Sequence, residues 1–326
     1  MKGVILDVDS LGPNDLDFTM ITGLPIEWTL YDTSKPEQVA ERIAGAEIVL
    51  TNKAPIGEAE LSAALELRYI GVLATGTNVI DLVATNARGV IVSNVVGYGA
   101  ASVVQHTWAL ILALTTRLPD YNVAALDGHW SESPFFCLLD FPVRELSGKV
   151  LGIIGYGDLG QGVATIGRAF GMEIKVAALP WRHSDNVITE GNPTDRTSFD
   201  QLLVEADVIS IHCPLTEETR NLISRKQLAM MKNTALLINC ARGGIVDEQA
   251  LVDALEDGVI GGAGVDVLTE EPPVNGHPLL NPEIPNLVVT PHSAWVARES
   301  RQRLIVQVAK NIQAFLTGNS CNVVRG

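Results

Sequence analysis

Along residues 1–99, short apolar runs alternate with amphipathic stretches. Val4-Ile5-Leu6 opens the chain, Glu47-Ile48-Val49-Leu50 follows a helical pattern near 36–44, and Tyr69-Ile70-Gly71-Val72-Leu73 follows another near 58–66. Val90-Ile91-Val92-Ser93-Asn94 closes the set. Such runs, spaced by helical stretches, predict a parallel sheet with crossover helices. From about Ala101 to Leu118 the chain is apolar nearly all round (Val103, Val104, Trp108, Leu110, Ile111, Leu112, Leu114), which predicts a buried helix between domains or subunits. Trp130 and the aromatic, Pro-broken stretch Pro134–Pro142 are too irregular for one element and read as an arm packing on a partner.

From Gly148 the pattern becomes strictly βαβ. Val150–Ile154 is a strand, residues 159–170 a helix, and Ile174–Ala178 the next strand. Further strands are predicted at Val208–Ile211, Ala235–Asn239, Gly262–Asp266 and Leu287–Thr290, and an amphipathic helix at 296–317. With 326 residues, 47% of them hydrophobic, the chain has material for two domains.

Charge narrows the function classes. The formal net charge is -15, from 38 acidic and 23 basic residues. A surface of that sign repels phosphate backbones and anionic lipids, so neither nucleic acid nor membrane is an expected partner. An anionic substrate then needs a local cluster of positive charge. The N-terminus lacks the apolar core and small-residue cleavage site of a signal peptide, and no run reaches about 18 apolar residues. Cys137, Cys213, Cys240 and Cys321 show no CxxC spacing and read as free thiols of a reducing compartment, the cytoplasm. No metal site is expected.

Gly155-Tyr156-Gly157-Asp158-Leu159-Gly160 matches GxGxxG, a pattern that gains meaning here because it follows a predicted strand and opens a helix. Gly155 permits the tight turn, Gly157 lets the backbone approach a pyrophosphate, and Gly160 lets helix and strand pack closely. The helix N-terminus supplies N–H groups and positive potential to phosphates. An acid for the adenosine ribose is expected about 20 residues on, at the end of the second strand. It is missing: the strand runs out as Ala178-Leu179-Pro180-Trp181-Arg182-His183-Ser184, with no carboxylate before Asp185. That removes repulsion against a 2′-phosphate, which Arg182 or His183 can pair, so NADP is expected to be accepted beside NAD. Arg182 as an ordinary surface arginine stays open.

Downstream, Arg242 precedes Gly243-Gly244, Glu271 sits in Thr269-Glu270-Glu271-Pro272, and His292 follows Thr290-Pro291. All lie at or just after C-terminal ends of predicted parallel strands, where open α/β sheets bind ligands. Ketone reduction needs such a set. A guanidinium holds a carboxylate and polarises a carbonyl with planar, forked geometry. Histidine, with a reference pKa of about 6.5, gives a proton near neutrality. A nearby carboxylate orients the imidazole and favours its protonated form.

Together with Gly155–Gly160, the segments His212-Cys213-Pro214-Leu215-Thr216, Asn239-Cys240-Ala241-Arg242-Gly243-Gly244-Ile245-Val246-Asp247, Glu270-Glu271-Pro272 and Pro291-His292 resemble the D-isomer-specific 2-hydroxyacid dehydrogenases over essentially the whole chain. Ala178-Leu179-Pro180, Glu271–Gly276 and Pro291-His292-Ser293-Ala294-Trp295 look like the bacterial glycerate dehydrogenases, or hydroxypyruvate reductases, within it. The resemblance implies an α/β architecture of two Rossmann-like domains with parallel doubly wound sheets: a discontinuous, flavodoxin-like substrate-binding domain at 1–99 and 292–326, and a dinucleotide-binding domain at 100–291. It implies a hinged cleft and a homodimer. It gives Arg242 the keto acid, His292 the proton and Glu271 the pairing with His292. Asp266 would hold the nicotinamide carboxamide, and Thr107, Cys213, Pro214, Thr219, Cys240, Ala241 and His292 would border the cofactor. Lys53 and the amides of Thr75, Gly76 and Thr77 would grip the substrate carboxylate.

The sequence departs from the family pattern at Gln105, where glutamate is common, and at Trp295, which either walls a short-substrate pocket or belongs to the core. The implied reaction is NAD(P)H-dependent reduction of hydroxypyruvate, or glyoxylate, to the D-2-hydroxy acid. D-lactate or phosphoglycerate chemistry and a non-catalytic NAD(H)-sensing binding protein are the alternatives.

Overall fold

The structure is a computed structural model that describes residues 1–179 and 196–325, so Arg182 and His183 lie outside the described residues. The chain divides into two compact units, Met1–Gly99 with Trp295–Gly326, and Ala100–Ala294. The return to the first unit falls at Trp295 rather than at 292, because the amides of Ser293 and Ala294 are bonded to Asp266 of the second.

The first unit is built on β1 (Lys2–Ile5), β2 (Glu27–Leu30), β3 (Ile48–Thr51), β4 (Tyr69–Val72) and β5 (Ile91–Ser93). They pair in parallel in the order β2-β1-β3-β4-β5, the flavodoxin-like winding, and Val323–Val324 adds an antiparallel edge beside β5. Both faces are covered, so the period of two places core on each side. Val4, Val49, Ile70 and Val72 pack under the helices Pro36–Ile43 and Glu58–Ala63, while Ile5, Ile48, Leu50 and Tyr69 face Leu304, Ile305, Val308 and Ile312 of the helix Arg298–Leu316. Each such fully buried aliphatic side chain stabilises the unit by about 1.5–3 kcal/mol.

The second unit holds β6 (Val150–Ile154), β7 (Glu173–Ala178), β8 (Thr197–Ser198), β9 (Val208–Ile211), β10 (Leu236–Asn239), β11 (Gly262–Val265) and β12 (Leu287–Val289). All are parallel, in the order β12-β11-β10-β9-β6-β7-β8, so the winding reverses between β6 and β9. That switch point is where open sheets bind ligands. The helix Ala100–Thr116 spends much of its apolar surface inside this unit. Trp108, Leu110, Ile111 and Leu114 join Leu151, Ile153 and Ile238 in one core, Trp108 stacks on Phe170 at 4.9 Å, and Gly162 admits Val104 against the helix Asp158–Ala169. The helix ends before Leu118, because Arg117 takes a left-handed φ of 55° and a new helix, Leu118–Leu126, starts. Beyond it the aromatic stretch is irregular, as expected, with Phe135, Phe136 and Leu139 exposed. Among the described residues no helix is long and apolar enough to cross a membrane.

Candidate active site

The register of the second sheet aligns Ile154 with Ile211, Ile211 with Asn239, Asn239 with Val265 and Val265 with Val289. The residues that follow these strand ends, Gly155, His212, Arg242, Asp266 and His292, therefore emerge along one C-terminal edge.

At β6 the glycine loop has the geometry its spacing predicts. Gly155 sits at φ +95°, and a Cβ there would lie 2.6 Å from the Cys213 nitrogen. At Gly160 a Cβ would overlap the Gly155 carbonyl oxygen. Gly157 differs: it is the N-cap of the helix Asp158–Ala169, its own side chain offers no cap, and a Cβ built on it meets nothing within 4 Å. Open space in front of first-turn N–H groups, with no Cβ to fill it, fits the pyrophosphate of a dinucleotide. Tyr156 is buried, and Asp158 and Leu159 open the helix.

The neighbouring loops are tied down from inside. Thr219 Oγ1 donates to the Pro214 carbonyl at 2.7 Å and accepts the Thr216 N–H at 2.7 Å, which shapes the turn after β9. Thr107 is fully buried and its hydroxyl donates to the Val103 carbonyl at 2.8 Å. Burial pushes the Cys213 thiol up to about 11 and the Cys240 thiol, beside Thr107, up to about 12. Both are therefore held as neutral thiols. Burial likewise pulls the His212 imidazole down to about 4; its Nε2 lies 2.8 Å from the Ser210 hydroxyl, and its Nδ1 has no partner among the described residues.

After β10, the buried Asn239 side chain closes the loop that presents Arg242. Its Oδ1 accepts the Ala241 N–H at 3.0 Å and its Nδ2 donates to the Arg242 carbonyl at 2.9 Å. Arg242 is exposed, with one Nη donating to the Ala241 carbonyl at 2.7 Å. Gly243 packs so tightly on the Leu268 carbonyl that any Cβ would overlap it, which brings the Arg242 loop against the loop of Glu271.

His292 meets Glu271 as its spacing alone did not guarantee. Nδ1 lies 2.6 Å from Glu271 Oε2, both side chains are about one-third exposed, and Glu271 Oε1 accepts the Leu268 N–H at 2.8 Å. His292 takes a left-handed φ of 50°, held by its N–H on the Asp266 carbonyl at 2.8 Å. The Asp266 side chain is only 1% exposed. Its Oδ1 accepts the Thr290 hydroxyl at 2.6 Å and the Ser293 N–H at 2.8 Å, and its Oδ2 accepts the Ala294 N–H at 2.9 Å. His106 Nε2 stands 2.9 Å from Thr290 Oγ1 and 3.4 Å from Asp266 Oδ1. Asp266 thus anchors the loop of His292, a role the sequence reading missed along with those of Asn239 and His106.

In the first unit, buried Asp7 organises the loop of Lys53, accepting the amides of Asn52 at 2.9 Å, Lys53 at 2.5 Å and Ala54 at 3.1 Å. Lys53 itself is exposed. Thr75 Oγ1 donates to the Val95 carbonyl at 2.8 Å and Asn94 Nδ2 to the Thr75 carbonyl at 2.7 Å, which pins the loop of Gly76 and Thr77. Trp295 packs edge-on against Tyr98, centroids 6.3 Å apart, at the margin of this unit's core.

Residues 108–294 match the model of the D-isomer specific 2-hydroxyacid dehydrogenase NAD binding domain. The chain is 41% identical to a glycerate dehydrogenase of Methylorubrum extorquens, over 99% of this chain and 98% of that one. To a hydroxypyruvate reductase of Blautia hydrogenotrophica it is 38% identical, over 99% of each. Among solved structures, the TT0316 protein of Thermus thermophilus superposes with a TM-score of 0.85 at 33% identity, over 99% of this chain and 100% of that one. The chain belongs to the D-isomer-specific 2-hydroxyacid dehydrogenases, a family of nicotinamide-dependent oxidoreductases.

Proposed function

We propose that this enzyme reduces hydroxypyruvate to D-glycerate, with glyoxylate as a second substrate. The observation that carries the reading is the His292–Glu271 pair at 2.6 Å on the strand edge that also presents Arg242. The bound dinucleotide supplies a hydride to the carbonyl carbon. An ionised Glu271 only accepts, so His292 Nδ1 donates to it, and Nε2 holds the proton given to the carbonyl oxygen. Glu271 keeps the ring oriented as it becomes neutral. Arg242 binds the substrate carboxylate and polarises the carbonyl, its fork pre-set by the bond to Ala241. Lys53 and the amides of Thr75, Gly76 and Thr77 are assigned further contacts to that carboxylate.

The amides of Asp158, Leu159 and Gly160 would receive the pyrophosphate, and Thr107, Cys213, Pro214, Thr219, Cys240 and Ala241 would border the dinucleotide. Asp266 would hold its carboxamide. β7 ends at Ala178 without a carboxylate, so NADPH is taken as well as NADH. The exposed Phe135, Phe136 and Leu139 suit a homodimer contact, tested by sedimentation of Phe136→Asp. A cytoplasmic location accords with free thiols.

The test is initial-rate reduction of hydroxypyruvate, glyoxylate and pyruvate with each cofactor. Hydroxypyruvate should turn over fastest; a preference for pyruvate moves the enzyme to the D-lactate type, and no cofactor oxidation at all ends the catalytic reading. His292→Ala should abolish turnover while NADH still binds. Arg242→Lys should raise KM and lower kcat, since an ammonium lacks the fork.

A further inference from the structure

Another imidazole–carboxylate pair involves the loop that carries Glu271. His277 Nε2 lies 2.9 Å from Glu248 Oε2, with side chains 8% and 15% exposed. The backbone selects the tautomer: the Leu279 N–H donates to His277 Nδ1 at 3.2 Å, so the neutral ring carries its hydrogen on Nε2 and gives it to Glu248. The other oxygen, Glu248 Oε1, accepts the Thr269 N–H at 2.8 Å. One carboxylate therefore closes the segment 269–277 at both ends.

Between those ends lies Glu271. The segment is largely exposed, so apolar packing does little to fix it and its polar tethers must. The tether at Thr269 adjoins the peptide whose N–H, on Leu268, bonds Glu271 Oε1. Glu248 is itself well placed to hold a position. It is the first residue of the helix Glu248–Glu256, where the helix dipole favours a carboxylate, and Asp247 caps that helix by accepting the Ala250 N–H at 3.0 Å. The helix follows directly on the loop of Arg242 and Gly243, so Glu248 ties the Glu271 loop to the element that carries the guanidinium.

We propose that Glu248 and His277 are positioning residues for the reduction: by closing the loop 269–277 at both ends they hold Glu271 on His292. The inference rests on the roles given above to Glu271 and His292. A pair that merely stabilised the unit would lower activity in any background. A pair that acts through Glu271 is felt only while Glu271 is there to be positioned, and a double-mutant cycle separates the two.

The experiment measures kcat and KM for hydroxypyruvate at saturating NADH, with NADH affinity from fluorescence titration. The variants are His277→Leu, Glu248→Gln, His277→Gln and Glu271→Gln, and the first two combined with the last. Glu248→Gln preserves shape, so the cycle survives if His277→Leu does not fold. His277→Leu and Glu248→Gln should each lower kcat by about tenfold, with KM and NADH affinity within about twofold. In the Glu271→Gln background the same changes should alter kcat by less than about twofold. His277→Gln, whose amide can still donate to Glu248, should recover most of the loss. Equal losses in both backgrounds, or a loss confined to NADH affinity, overturn the proposal while leaving Glu271 in its role. A Glu271→Gln enzyme as active as wild type overturns the role of Glu271 first, and the positioning proposal with it.

Discussion

Replacing Asp266 by asparagine tests whether this carboxylate holds the His292 loop. An amide offers one accepting oxygen where the carboxylate has two. With the amide nitrogen at Oδ1 it would face both the Thr290 hydroxyl and the Ser293 N–H; at Oδ2 it faces only the Ala294 N–H. The second placement is cheaper, and it breaks one bond to a charged acceptor and leaves a buried N–H unpaired. That costs about 2–3 kcal/mol. For a unit of this size each kcal/mol moves the melting temperature by about 2–4 °C, so the enzyme without cofactor should melt about 4–12 °C lower. The lost bond also loosens the turn after His292, whose left-handed φ then depends more heavily on its N–H bond to the Asp266 main-chain carbonyl. Misplacement of the imidazole by about 1 Å should lower kcat by about tenfold to a hundredfold. The assays are calorimetric melts without cofactor and steady-state reduction of hydroxypyruvate. An unchanged melting temperature would refute the reasoning whatever happens to NADH affinity, because the carboxylate would then not be what holds the loop.

The second and third glycines of the dinucleotide motif should separate. Gly160→Ala should destabilise the enzyme without cofactor, whereas Gly157→Ala should melt normally and weaken NADH binding by about tenfold or more, measured by fluorescence titration; equal destabilisation by both removes the pyrophosphate assignment. Burial lowers the folded-state pKa of His212 from 6.5 to about 4, so the unfolded chain binds the extra proton and stability falls as pH drops from about 6.5 towards about 4, by at most about 1.4 kcal/mol per pH unit. Urea unfolding across that window should lose this slope in His212→Gln; an identical slope shows that other groups produce it. With Cys213 and Cys240 held as buried thiols, a thiol reagent at pH 8 should modify the exposed Cys321 first and those two only on unfolding, which mass spectrometry of the labelled sites decides.

Most of both sheets was legible because parallel strands covered on both faces must be apolar along their length. β3, β9, β10 and β11 are buried at every residue, and each appeared as a short, mostly apolar run. β2 escaped for the complementary reason. It is an edge strand whose Glu27, Thr29 and Leu30 are exposed, so its place is set by pairing with β1 rather than by any pattern of its own. The helix Ala100–Thr116 shows the limit of periodicity in the other direction. An all-round apolar sequence tells that a helix is buried but not by what, and here Trp108, Leu110 and Leu114 are covered within their own unit.

The same division runs through the site. Arg242, Glu271 and His292 stood out in the sequence because ketone reduction constrains residue type: a forked cation, a proton donor and a carboxylate leave few substitutes. The residues that place them are constrained by geometry instead, and their partners are backbone amides that no residue type reveals. Asn239 and Asp266, and Asp7 at the Lys53 loop of the first unit, have this in common. Each lies at or just past the C-terminal end of a parallel strand, is buried, and accepts amides of a nearby loop: 52–54 for Asp7, 241 for Asn239, and 293–294 for Asp266. A parallel sheet leaves its strand ends facing loops whose N–H groups have no ladder to join, and a buried carboxylate or carboxamide at the strand end satisfies them at the depth where water does not reach. An Asp or Asn closing an apolar run is therefore first a loop anchor, and its chemistry with a ligand has to be shown beyond that.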